Sequence, residues 1–225
     1  MEKIAILTIA TGKYKNYLPE LYSGIRKYFL CDNEKQIFLF SDDAKNKYFL
    51  PNLPWPLVTL LRFNYFNQIK EELLKFDLVY YIDADIKIND YITKEIYPNN
   101  HLQIVTAEHY WNFNSSFLYE TNQNSTAYVN IYDSSFIPRY CQGCFFGASA
   151  PTFLKMSHEL EKNINVDLKN NIIAKWHDES HLNKYILNND CKILNREYSY
   201  CPEDPSIFPK NSSIKLIHKN SNSFI

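Results

Sequence analysis

Two clusters of carboxylates are the residues here whose types and spacing could do chemistry. The first is Asp83-Ala84-Asp85, directly after the apolar run Asp77-Leu78-Val79-Tyr80-Tyr81-Ile82. Alternation along an extended chain sends Asp83 and Asp85 to one side of the strand end. Two neighbouring carboxylates repel, and a low-dielectric setting amplifies the repulsion. A divalent cation resolves it. All-oxygen ligation favours Mn²⁺ or Mg²⁺, which typically shares its remaining positions with substrate phosphates. A pair of solvated turn aspartates is the bland alternative, but D-x-D behind a central apolar strand is more selective than D-x-D alone. The second cluster is Trp176-His177-Asp178-Glu179-Ser180-His181-Leu182-Asn183-Lys184-Tyr185. Leu182, Tyr185 and Ile186 recur at helical spacing and predict a buried stripe. Asp178 and Glu179 are successive, so one carboxylate is expected in a cleft and the other along its rim. The bland alternative is a first helical turn whose acids suit the macrodipole.

These groups need elements to position them. Lys3 to Ala10 predicts a buried strand, ending at the turn Thr11-Gly12-Lys13-Tyr14, with a helix from Tyr17 to Phe29. Gln36 to Phe40 predicts a second strand. A proline-rich link, Pro51 to Pro56, precedes an amphipathic helix from Leu57 to Lys75. That helix carries Arg62, which is either solvated or, near strand ends, able to fork onto a phosphate. Asp77 to Ile82 reads as a central parallel strand, and Leu102 to Thr106 as a further strand. An aromatic, polar loop follows, His109-Tyr110-Trp111-Asn112-Phe113, and Tyr128 falls in a short extended piece. The small residues of Arg139 to Ala148 permit close backbone approach to a ligand. Pro151 to Lys162 predicts a helix opened by proline. Cys191 to Leu194 and Ile214 to Ile217 read as closing strands, and Asn220 to Ile225 as a loose tail. Strands alternating with helices predict an α/β fold, whose ligands bind beyond the carboxyl ends of the strands. One glycine in the first turn is far from a dinucleotide fingerprint.

At 225 residues the chain is expected to form one domain, residues 1–225. A formal net charge of -1, from 24 basic and 25 acidic residues, supplies no basic field for nucleic acid. Five scattered cysteines do not outline a disulfide framework, and Cys141-x-x-Cys144 has no second pair to complete a zinc site. No stretch is apolar for long enough to act as a signal or membrane span. The expectation is therefore a soluble, cytoplasmic protein, in which the sequons at Asn114, Asn124 and Asn211 carry no meaning. The 18 Tyr and 15 Phe suit both core packing and stacking on sugar or base rings. A metal-ready carboxylate pair, a candidate phosphate arginine and a separate helical carboxylate suit a diphosphate-linked substrate. Two rivals remain open. His177 and His181, one helical turn apart, could hold zinc, although the H-E-x-x-H order is absent. A module that binds sugar nucleotides without turnover is the other.

The same residues resemble family 6 glycosyltransferases, the family of the ABO blood-group transferases and α-1,3-galactosyltransferases. The likeness runs from Ile9-Ala10-Thr11-Gly12-Lys13-Tyr14 through Arg62, Asp83-Ala84-Asp85, Tyr119-Glu120, Ala127-Tyr128 and Gly143 to Gly147. It ends in the Trp176 to Tyr185 segment, its most specific part. The resemblance implies a GT-A fold with a mixed, mostly parallel sheet flanked by helices, a UDP-sugar donor and a retaining transfer forming an α-1,3 linkage to a β-galactoside. By position it implies a uridine pocket at Ile9, Ala10 and Tyr14, and a donor-contacting Arg62. Asp83 and Asp85 become the site of metal and diphosphate, Asp178 the partner of a donor-sugar hydroxyl, and Glu179 the catalytic carboxylate. Trp176, His177 and His109 become acceptor contacts. Gln142 and Cys144, around Gly143, stand where the family distinguishes galactose from N-acetylgalactosamine, and the bulk of Cys144 points to UDP-galactose. The D-x-D predicts metal dependence, unlike relatives with N-x-N. The family's basic C-terminal segment is largely absent, leaving Lys215 or Lys219 as substitutes. The missing anchor and stem suit a bacterial or phage type.

Overall fold

The structure is a computed structural model, and it describes residues 1–111, 114–203 and 214–218. Asn112 and Phe113 of the aromatic loop, Asn211, Lys219 and the tail from Asn220 lie outside the described residues. The predicted first strand forms as β1 (Lys3–Ala10), followed by α1 (Leu18–Tyr28), β2 (Glu34–Ser41) and the short β3 (Tyr48–Phe49). Three short helices, α2 (Leu57–Leu60), α3 (Arg62–Gln68) and α4 (Lys70–Leu73), lead to β4 (Leu78–Ile82) and β5 (Ile86–Ile88). Beyond β6 (Ile104–Glu108) come β7 (Cys141–Ser149), α5 (Ala150–Lys169), α6 (His177–Asn188), β8 (Cys191–Leu194) and β9 (Leu216–His218).

Seven strands form one sheet in the order β3-β2-β1-β4-β7-β6-β8. It is a mixed, mostly parallel sheet, because only β7 runs against both of its neighbours. Alternation along the central strands sends Tyr81 and Phe146 to one face, with Phe63, Phe66 and Phe153 from α3 and α5. Tyr80 and Phe145 go to the other face, with Ile4, Ile6, Ile25 and Phe29. The aromatic excess is therefore largely core: Tyr80 and Phe145 stack with centroids 5.9 Å apart.

Four expectations are corrected. The helix expected from Leu57 to Lys75 is broken at Leu61 (φ -91°, ψ 9°) and Ile69 (φ -110°, ψ 22°). Its Phe, Tyr, Asn and Ile are middling helix formers, and the breaks let Leu60, Phe63, Phe66 and Leu73 all reach the core. Tyr128 lies in a loop rather than a strand, with the Val129 amide donating to the Glu120 carbonyl. The close approach expected along Arg139 to Ala148 is narrowed: its small residues build the central antiparallel strand β7, where Gly143 borders a cavity but Gly147 makes room for the Tyr80 ring. The last predicted strand does not extend the main sheet. β9 pairs antiparallel with β5 in a separate ribbon, with Ile86 opposite His218.

Candidate functional site

Beyond the carboxyl end of β4 lies a cavity of about 410 Å³, walled by Arg62, Asp83, Asp85, His109, Gln142, Gly143, Cys144, Trp176, His177, Asp178 and Glu179. A smaller cavity of about 140 Å³ adjoins it, lined by Ile9, Tyr14, Trp55, Val58 and Tyr81. The two share Thr59, Asp83 and Asp85. Of the residues expected as catalytic, donor or acceptor contacts only Ala10 is off these walls: it is fully buried in β1.

Arg62 is 4% exposed, so it is not a solvated helix residue. Its Nη1 donates to the Gly143 carbonyl at 2.8 Å, and its Nε lies 3.0 Å from Asp178 Oδ2. Nη2 stands 3.9 Å from Asp83 Oδ1, and the guanidinium covers the Tyr81 ring at 4.5 Å. Burial opposes the charge, but Asp178, Tyr81 and Asp83 hold Arg62 firmly protonated. Burial pushes the Asp178 carboxyl up to about 6 although Arg62 pulls it down.

Asp178 and Glu179 do not divide between cleft and rim: both line the cavity. His177 enters α6 with φ 53°, so the first turn departs from the regular helical wheel on which that expectation rested. Asp178 turns to Arg62, while Glu179 Oε2 accepts the Gly143 amide at 2.7 Å. Burial pushes the Glu179 carboxyl up to about 8, against the pull of that amide. The Tyr140 hydroxyl is buried close to Glu179 and Ser180 but makes no well-formed hydrogen bond. His109 Nε2 lies 3.9 Å from Glu179 Oε1, and burial lowers this imidazole to about 4.

Asp83 and Asp85 sit in a turn closed by the Ile86 amide on the Asp83 carbonyl, not on a continuing strand. Strand alternation therefore does not aim them, yet both line both cavities. Burial, and then the charge of Asp83, push Asp85 up to about 7. Tyr81 donates to Asp83. Two neighbouring carboxylates, with Asp85 largely buried, fit a hard divalent cation. Among the described residues no group of three His, Cys, Asp or Glu is disposed to hold a metal.

The zinc arrangement is not assembled. His177 packs on Trp55 with centroids 4.5 Å apart, whereas His181 is buried beside Asp167 at 3.7 Å. Lys215 lies off the main cavity, ion-paired to Asp90 at 3.2 Å. Thr59, Tyr110, Trp111, Leu118 and His218 also line the main cavity. His218 could not be read from the sequence, because the β5–β9 pairing that delivers it has no local signal. No helix among the described residues is long and apolar enough to cross a membrane.

A model of the family described as glycosyltransferase family 6 matches residues 52–223. The chain is 30% identical to the O-antigen biosynthesis glycosyltransferase WbnI of Escherichia coli, over 96% of this chain and 94% of that protein. It is 25% identical to histo-blood group ABO system transferase 2 of Rattus norvegicus, over 88% of this chain and 63% of the relative. It is 23% identical to globoside alpha-1,3-N-acetylgalactosaminyltransferase 1 of Gallus gallus, over 91% of this chain and 64% of the relative. The chain thus spans less than two thirds of the length of these two animal relatives.

Proposed function

The chain belongs to glycosyltransferase family 6, and from that premise we propose that it moves galactose from UDP-galactose, in α-1,3 linkage and with retention, to a β-galactoside acceptor. The fold is of GT-A type, and the chain is a glycosyltransferase. Residues 1–225 are read as one catalytic domain. The observation that carries the proposal is one cavity holding Arg62, Asp83, Asp85, Asp178 and Glu179, with a smaller, largely apolar cavity beside the same aspartates.

The smaller cavity suits a uracil and ribose, with the Tyr14 ring and Ile9 on its wall and Ala10 contributing backbone alone. Asp83 and Asp85 would hold Mn²⁺ or Mg²⁺ against the diphosphate. Bound there, the cation supplies charge neutralisation for the departing UDP. Arg62 adds a fixed positive charge at the same end of the site. Asp178, held by Arg62, accepts from a hydroxyl of the donor sugar. Glu179 faces the anomeric carbon, either as nucleophile or as the negative charge that steadies an oxocarbenium-like state. Both tasks need its charged form, which burial disfavours and the Gly143 amide favours. His109, Trp176 and His177 ring the acceptor side. Cys144 fills space that an N-acetyl group would need, which supports galactose over N-acetylgalactosamine.

Incubation with UDP-galactose or UDP-N-acetylgalactosamine, lactose and Mn²⁺ should release UDP and yield an α-1,3-linked trisaccharide, more readily with galactose. Binding of a UDP-sugar without transfer to any galactoside would favour a binding module instead.

A further inference from the structure

Gln142 and Cys144 flank Gly143 on β7, and both face the main cavity. Gln142 is 2% exposed, so its amide must find partners within the protein. Its Nε2 donates to the Tyr198 carbonyl at 2.8 Å. That leaves Oε1 as the acceptor for His218 Nε2, at 2.5 Å. The pairing fixes His218 as the Nε2–H tautomer. A flipped amide would set oxygen against the Tyr198 carbonyl and NH₂ against the imidazole N–H, so Gln142 has one stable orientation. The same Nε2 lies 3.5 Å from Cys144 Sγ. One imidazole therefore touches both side chains that flank Gly143. Its own position is set independently: the His218 amide donates to the Tyr200 carbonyl at 2.8 Å, its strand residue pairs with Ile86, and its ring packs on Tyr110 at 5.1 Å.

We propose that His218 is a specificity-determining positioning residue: it locks the Gln142 amide and fills the space beside Cys144, so that the wall facing the donor sugar accepts a hydroxyl at C2 and rejects a bulkier acetamido group. This rests on the donor reading above. A void left by the imidazole would open on the sugar side, and the freed amide would no longer hold one orientation.

The test measures kcat and KM of the full chain with UDP-galactose and with UDP-N-acetylgalactosamine. His218→Ala should lower the galactose preference in kcat/KM by roughly tenfold, the scale on which pockets discriminate small groups. The change should lie mainly in a lower KM for the acetamido donor. His218→Gln, which keeps an N–H at the same reach, should retain most of the preference. Gln142→Met should relax the preference as well, and its effect should not add to that of His218→Ala. If His218→Ala does not fold, the Gln142→Met and His218→Gln ratios decide. An unchanged donor ratio, or equal losses with both donors, would overturn the inference while leaving the transferase reading intact. No transfer by the unmodified chain from any UDP-hexose would overturn that reading, and the inference with it.

Discussion

Glu179 accepts an amide hydrogen bond at 2.7 Å in a cavity that pushes its carboxyl from 4.5 up to about 8. Its folded form therefore keeps a proton that the unfolded chain releases. The sign follows from proton linkage: without metal, its contribution to stability is complete below about 4.5 and is lost as pH rises towards 8. Asp178 and Asp85, raised to about 6 and about 7, act in the same direction. Each proton contributes at most roughly 1.4 kcal/mol per pH unit within its window. Chemical denaturation of metal-free protein should give a lower stability at pH 8 than at pH 5, and Glu179→Gln should flatten that slope. The same substitution should cut transfer by roughly 10²–10³-fold while sparing UDP binding. The carboxylates were legible in the sequence because each stands beside a strong apolar pattern. Their pairing was not: that Asp178 answers Arg62 and Glu179 answers the Gly143 amide depends on a left-handed His177 and a broken helix, neither of which leaves a local signal.

β7 serves packing at one end and the site at the other. A Cβ at Gly147 would fall 2.2 Å from Tyr80 Cδ1 and 2.8 Å from the Val79 carbonyl oxygen, where nothing can yield cheaply. Gly147→Ala should cost about 1–3 kcal/mol, read from the denaturation midpoint, as overpacked cores do. At Gly143 the three atoms nearest an added Cβ would all belong to the Glu179 side chain, with its Cβ and Oε2 at 3.4 Å. Gly143→Ala should thus lose less stability than Gly147→Ala but more transfer, by displacing Glu179; the reverse ranking would contradict this division. Elements with plain patterns, such as β1, β4 and the start of α6, were legible at nearly their observed bounds. α5 runs to Lys169, past the expected Lys162. The extra turns are kept by buried Ile164 and by Asp167, which accepts from Ser125 Oγ at 2.6 Å and the Thr126 amide at 2.8 Å. Such a long-range anchor is invisible to periodicity.

Across the molecule, the α/β class and the site at the strand ends were legible from the order of strands and helices. The antiparallel insertion of β7 and the β5–β9 ribbon were not, since both join segments far apart in sequence. Asp83 and Asp85 head that ribbon, so their charge bears on the whole fold. Mn²⁺ with UDP should raise the melting temperature, by the equivalent of about 2.7 kcal/mol at a hundredfold excess over Kd. Asp83→Asn with Asp85→Asn should abolish this shift without lowering the metal-free melting temperature, because the repulsion between the carboxylates goes too. A retained shift would place the cation elsewhere.

Ile86 faces His218 across the ribbon, with most of the chain's length between them. A protein still being synthesised would present both aspartates long before the strand that closes beside them exists. Contacts so remote in sequence form slowly, so the wall that His218 supplies should close late. Nucleotide supplied to a refolding chain should find its phosphate end shaped before its sugar end.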